Sequence, residues 1–446
     1  MTKGSHLRNI LILLLVLIGG AYWYLSTPDK AQVPIEEMQG AIPKLTTVRQ
    51  ENFPTIKIAK VIGWQGDAKP VAAAGLRVNA FADKLDHPRW LTELANGDVL
   101  VAESGMPVRG AVDAKDWIAQ KLILKADGSS KPANRITLLR DTDGDGVADF
   151  RSVLVSGLNS PTGMVVLGGR LYVANTDAVI SFPFKVGDTQ ISAPPEKLFD
   201  LPHNLPNNHW ARNLIADPSG DSLYVTIGSD SNIAEGGMKA EKDRAQIKQY
   251  VFKTKELRMF TYGMRNPNGM AFNPKSGSLW TVVNERDQLG SDGPPDYLTV
   301  ADFATFYGWP FTYWGGYEDQ RVDQVRPDLL QYTKRPEYAL GPHVAALGLA
   351  FNCRPELGAK FAQGAFVGMH GSWNRVPPSG YKVVYIPFNE RGYPVDKVKP
   401  VDVLTGFLNA AGDAQGRPVG VIVNKAGALL VADDSGNRVW RVVAAK

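Results

Sequence analysis

One hairpin pattern recurs along this chain and limits what it can fold into more than any other feature. Each copy has a few apolar residues, often led by glycine or tryptophan, then a turn, then a second apolar strand ending in polar residues. The copies occupy residues 90–103, 163–175, 213–226 and 269–283, then 348–351 with 364–368, then 419–433. A hairpin of this kind cannot bury both faces by itself. Six of them imply radial stacking, because closing a ring hides the sheet edges. The expected fold is all-β, a six-bladed β-propeller over residues 76–446. The copies lie roughly 50–80 residues apart, longer than a compact blade needs, so loops are inserted between them. The 44 glycines and 30 prolines suit many short strands joined by turns. A pair of β-sandwiches is the competing arrangement. Residues 240–257 are expected to hold a short helical or irregular insertion.

The N-terminus differs from the rest. Lys3 and Arg8 precede an apolar run from Asn9 to Leu25 that ends in Tyr22-Trp23-Tyr24. Its length is at the short limit of a membrane span, and its aromatic end resembles an interfacial belt. Residues 1–25 are therefore expected to be an uncleaved anchor, with a cleaved signal peptide as the alternative. Either places the body of the chain across the membrane, on the periplasmic side. Residues 26–75 are expected to be a tether leading to a first strand near residues 57–62.

The net charge of +4 is mild, and no lysine- or arginine-rich run marks a nucleic-acid surface. A single cysteine, Cys353, excludes an internal disulfide, a CxxCH haem attachment and a cysteine-built metal site. Its simplest role is a small buried residue. The chain has no GxGxxG after a strand, P-loop, HExxH or GxSxG, so the usual support for nicotinamide, ATP, zinc-protease and serine-hydrolase chemistry is missing.

Several polar groups stand at strand ends. Asp141, Asp143, Asp145 and Asp149 alternate around Gly146 in the manner of a calcium loop, although Ser152 replaces the glutamate of a full EF-type loop. His209, beside Trp210 and Arg212, is the first candidate for a general base, and His370 the second. His6, His87, His203 and His343 are assigned structural roles by default. Arg265, Arg286, Arg375 and Arg417 each lie near a strand end, and a converging set would suit a ligand with several carboxylates.

The segments HWARN (209–213), TIGSDSN (226–232), YGMRNPNGMAFNP (262–274), VVNERDQLGSDGPPDYL (282–298), MHGSWNR (369–375) and GRPVGV (416–421) resemble the pyrroloquinoline quinone (PQQ)-dependent sugar dehydrogenases, and are most similar to the L-sorbosone dehydrogenase branch. The resemblance runs from Phe81 to Val443. It implies PQQ and Ca²⁺ as cofactors and His209 as the catalytic base. It implies cofactor contacts from Asn232, from Arg375 or Lys382, and from Arg417, with Ca²⁺ held by backbone carbonyls of the loop of Glu285, Arg286 and Asp287; the quinone's three carboxylates would account for the other strand-end arginines, Arg265 and Arg286, as further cofactor contacts. The family's arginine beside the asparagine is replaced here by Ser231, and its Gly-Pro pair in the calcium loop is missing. Trp210, Trp309, Trp314 and Trp373 are candidates for stacking against the planar cofactor and sugar. The implied reaction oxidises a sugar or sugar aldehyde and passes electrons to a separate quinone or cytochrome. A calcium-dependent propeller hydrolase of the lactonase kind and a non-catalytic exported binding propeller are the competing functions.

Overall fold

A computed structural model describes residues 3–26, 29–51, 55–108, 110–112, 114–127, 133–323 and 326–445. Six antiparallel sheets form the blades of a closed propeller. In blade 1 the strands are Pro88–Glu93, Val99–Glu103, Arg135–Arg140 and Phe150–Ser156; in blade 2, Met164–Leu167, Arg170–Ala174, Ala178–Pro183 and Glu196–Asp200. Blade 3 comprises Leu214–Ala216, Ser222–Ile227, Gln246–Val251 and Glu256–Tyr262, with Thr305–Phe306 added in parallel. Blade 4 has Asn266–Phe272, Leu279–Asn284, Pro295–Val300 and Tyr338–Pro342. Blade 5 has Ala346–Asn352, Gly364–Met369, Lys382–Pro387 and Val401–Thr405, edged by Val71–Ala72. Blade 6 joins Pro418–Val423, Leu429–Asp433 and Arg438–Ala444 to Leu76–Ala82 from the other end of the chain. That last pairing closes the ring and leaves no free edge there.

The recurring glycines have a steric cause. A Cβ on Gly269 would meet the Leu347 carbonyl at 2.7 Å, and one on Gly420 would meet the Arg89 carbonyl at 2.7 Å. Gly163 and Gly348 abut Leu214 and Val419 in the same way. Each contact is with the first strand of the following blade, so backbone meets backbone around the axis. The apolar faces fill six separate clusters, one at each blade interface. Trp280, for example, is fully buried between blades 4 and 5, and Trp440 between blades 5 and 6.

Three local expectations are corrected. The strand near residues 57–62 is reduced to an isolated bridge between Val61 and Ala414, because the stretch lies across blade loops and finds no sheet edge; the first strand is Val71–Ala72. Residues 246–251 are a full strand of blade 3, so the irregular insertion is confined to the turns before it. Cys353 is exposed, since it follows the end of its strand. A helix at Ala114–Asp127, between the second and third strands of blade 1, has no counterpart in the sequence reading.

Residues 29–51 and 55–64 run over the loops of blades 4 to 6. Ser291 holds Asp29, the Val376 carbonyl accepts from Ala31, the Trp373 carbonyl from Lys57, and Asp433 from the Trp64 indole. A helix spans Lys3–Ser26, and its described side chains, residues 9–20, are exposed. Among the described residues no helix is long and apolar enough to cross a membrane.

Candidate active site

The loops joining second to third strands, and those entering each first strand, share one face of the ring. His209 enters this face on the loop before blade 3. Arg212 shapes that loop by donating to the carbonyls of His209, Ala211 and Pro202 and to Asn207. Gly228 packs directly against His209, where a Cβ would collide with the histidine side chain. The Nδ1 of His209 lies 2.8 Å from the Ser229 carbonyl. A carbonyl only accepts, so Nδ1 carries the proton and Nε2 keeps the basic lone pair. The Ser229 hydroxyl, 3.0 Å from Nδ1, donates to the Ser231 carbonyl and accepts in turn. Burial, reinforced by the Arg265 charge, pulls the imidazole pKa down to about 3, so the ring is neutral.

Arg265 lies next to it in a closed knot. Its guanidinium donates to the Glu285 carbonyl at 2.7 Å, to the Asn232 side-chain oxygen at 2.9 Å and to Asp287 at 2.8 Å. Asn232 also accepts from the Asp287 amide and donates to its carbonyl. Burial opposes the charge on Asp287. Arg265, His343 and Asn374 prevail and hold the carboxyl below its usual range. His343 donates Nε2–H to the Gly290 carbonyl, and its Nδ1 faces Asp287 at 3.7 Å; this raises the imidazole pKa despite burial.

A second hub forms at Asp434, at the end of blade 6's second strand. It accepts from Arg89 at 2.5 Å and from His370 Nε2 at 2.8 Å, with His87 at 3.6 Å. Burial and the Arg417 charge lower the His370 pKa to about 4. Arg417 donates to the carbonyls of His370 and Gly371 and lies over the Tyr381 ring. The two hubs join twice around the mouth. Arg89 stacks over Trp210, next to His209, at 5.3 Å. The loop that starts at His370 reaches Asp287 through Asn374 at 2.7 Å.

His209, Asn232, Arg265, Asp287, His370 and Arg417 are thus gathered on one face. Three expected residues are committed elsewhere. Arg286 is fully buried and bonds to Glu285, Asp319 and the Pro310 and Thr312 carbonyls. Arg375 ties Ser291 and Pro377. Lys382 forms a cross-strand pair with Asp402 on blade 5. The carbonyls of Glu285 and Asp287, the expected Ca²⁺ ligands, already accept from Arg265, Asn232 and Arg321, and the Glu285 carboxylate pairs with Arg286. Among the described residues the acidic cluster that gathers three carboxylates within 4.8 Å is Asp141, Asp143 and Asp145. It sits on the opposite face, between the third and fourth strands of blade 1. Asp149 is turned to the Thr142 amide and hydroxyl. Gly146 at φ +90° makes the turn under the Arg441 side chain. Trp309 and Trp314 are buried, Trp309 donating to the Asn232 carbonyl, whereas Trp373 is partly open.

The sequence reading missed His87, Arg89, His343, Asn374 and Asp434. One signal was present: Asp434 follows its strand as Ser229 and Glu285 follow theirs. Arg265 pairs with Asp287 and Arg89 with Asp434, while Arg417 is bonded to the His370 and Gly371 carbonyls. Arg89 Nε and His87 Nε2 have no hydrogen-bond partner among the described residues. This donor set suits a planar polyanion lying beside Trp210.

A family model described as TrAA12-like matches residues 70–295 and 326–445. The chain belongs to the TrAA12-like family. This TrAA12-like protein is 27% identical over 306 residues to the aldose sugar dehydrogenase YliI of Escherichia coli K12, covering 63% of this chain and 74% of that one. It is 25% identical over 359 residues to the pyrroloquinoline quinone-dependent pyranose dehydrogenase of Coprinopsis cinerea, covering 71% of this chain and 44% of that one. The holo PQQ domain of the Coprinopsis cinerea enzyme superposes with a TM-score of 0.69 at 20% identity, over 87% of this chain and all of that one. The superposition confirms the fold.

Proposed function

We propose that this protein is a quinoprotein oxidoreductase that oxidises a sugar or a sorbosone-like sugar aldehyde, with PQQ as its cofactor. The observation that carries the proposal is the tautomer of His209. The Ser229 carbonyl fixes the proton on Nδ1 and leaves a neutral ring with the Nε2 lone pair free at a mouth lined by arginines. The relatives named above are sugar dehydrogenases and supply the substrate class. PQQ, when bound, supplies a two-electron acceptor for the hydride leaving the substrate carbon. His209 Nε2 takes the proton of the substrate hydroxyl, or of the hydrated aldehyde. Arg89, Arg265 and Arg417 hold the cofactor carboxylates, and Trp210 offers an apolar face. Asp287 keeps Arg265 in place, Asp434 keeps Arg89, and the His370 and Gly371 carbonyls keep Arg417. Ca²⁺ is assigned to the loop of Asp141, Asp143 and Asp145, where it would brace blade 1 on the face opposite His209.

Electrons leave to a separate quinone or cytochrome. The apolar N-terminal helix holds the enzyme to the periplasmic side of the inner membrane, or the segment is removed and the body released. Purified protein loaded with PQQ and Ca²⁺, assayed with an artificial dye against aldoses and sorbosone, tests the activity. Dye reduction that requires PQQ is expected. Lactone hydrolysis without PQQ would instead mark a hydrolase, and silence in both assays a binding propeller.

A further inference from the structure

We propose that the helix inserted in blade 1 is a second membrane contact, an interfacial helix that lays the mouth of the ring against an anionic bilayer surface. This deepens the membrane placement proposed above. Helix Ala114–Asp127 leaves Trp117 57% and Ile118 53% exposed, with Leu124, Lys121 and Lys125 also exposed. At 100° per residue, Trp117, Lys121 and Leu124 share one face, with Ile118 and Lys125 along its flank. Lys121 lies over the Trp117 ring at 5.7 Å. Val108 and Val112, on the strand side of the same loop, are exposed as well. Tryptophan and aliphatic side chains interleaved with lysines are what an interfacial helix uses. The apolar groups enter the acyl boundary while the ammoniums stay among anionic headgroups.

The fold supplies a second, independent observation. The loop carrying this helix joins the second and third strands of blade 1, on the face that bears His209. The apolar N-terminal helix leaves from that same face. Asp29 is fixed on the corresponding loop of blade 4 by Ser291, at 2.7 Å from its amide and 3.0 Å from its hydroxyl. Three residue steps separate Asp29 from Ser26, so the helix end lies within about 11 Å of that loop. Two helices with exposed apolar side chains on one face define one plane. A bilayer in that plane brings a lipid-soluble electron acceptor to the mouth.

The test uses the full chain with Cys353→Ser and an environment-sensitive fluorophore on a single new cysteine, either Ile118→Cys or Val147→Cys. Val147 is exposed on the opposite face. Flotation is measured with phosphatidylcholine vesicles, with and without phosphatidylglycerol. With phosphatidylglycerol present, the label at 118 should shift to the blue and be quenched by nitroxide lipids, while the label at 147 stays water-like. Lys121→Glu with Lys125→Glu should lower the lipid-contacting fraction at 118 by about fivefold or more per lysine, while the N-terminal helix keeps the chain on the vesicles. A chain that floats with a water-like label at 118 overturns the inference and leaves the N-terminal anchor standing. Equal responses at 118 and 147 also overturn it. A chain that floats with neither vesicle overturns both placements.

Discussion

Replacing His209 with asparagine separates two properties of this imidazole in one variant. The first is stability. The folded pKa is lowered to about 3, against about 6.5 in the unfolded chain. Below pH 6.5 the unfolded chain therefore takes up a proton that the folded chain refuses, and stability falls as pH falls. Each pH unit in that window is worth about 1.4 kcal/mol. Between pH 6.5 and 5 the wild type should lose about 2 kcal/mol through this group, an upper figure because the ring is partly open to solvent. His209→Asn lacks that loss, so its urea midpoint should fall less between pH 7 and pH 5. The second property is catalysis. Removing a positioned base should lower kcat/KM by roughly 10²–10⁴-fold, with PQQ affinity little changed in a spectroscopic titration. Parallel pH–stability curves for the two proteins would show that the imidazole is not held neutral. A loss of activity under tenfold, with the stability arm intact, would remove His209 as the base.

Asp434→Asn should cost about 3–5 kcal/mol in urea unfolding, because it leaves a buried guanidinium without its counter-charge; Asp402→Asn, at the exposed Lys382 pair, should cost under about 1 kcal/mol. Arg265→Lys keeps the charge but cannot reach the Asn232, Glu285 and Asp287 acceptors together. It should weaken PQQ binding tenfold or more at a stability cost of about 1–3 kcal/mol, and unchanged affinity would detach the knot from the cofactor. Ca²⁺ should raise the melting temperature of the wild type, and Asp143→Asn should abolish that rise; equal rises in both proteins would clear the loop of calcium.

The hairpins were legible because each first and second strand is apolar and short, and a ring is the arrangement that covers six of them. The outer strands were not. Glu256–Tyr262 alternates only weakly between buried and exposed positions, since one side of it meets solvent. The helix at 114–127 was invisible for a related reason: Trp117, Ile118 and Leu124 are exposed, so they do not mark a face turned to the core. For the site, His209 could be read from its motif, but the fate of each arginine could not. A guanidinium at a strand end looks the same in sequence whether it is locked away from the mouth, as with Arg286 and Arg375, or is held on the His209 face, as with Arg265 and its Asp287 partner. That depends on which loop lies opposite, and the Arg89–Asp434 pair joins residues 345 apart in the chain.

The same long reach ties the chemistry to ring closure. Asp434 and Arg417 belong to blade 6, whose outer strand is Leu76–Ala82. The chain leaves that strand and within a few residues places His87 and Arg89 at Asp434. From there Arg89 stacks on Trp210, and the loop begun by His370 reaches Asp287 and so Arg265, beside His209. The Arg89–Asp434, His370–Asp434, Arg89–Trp210 and Asn374–Asp287 links each cross a blade boundary, so no blade alone can hold the imidazole and the guanidiniums in register. Opening the blade 6 seam would therefore detach Arg89 and Arg417 from the Asp434 hub, even with the other five blades and the Arg265 knot intact.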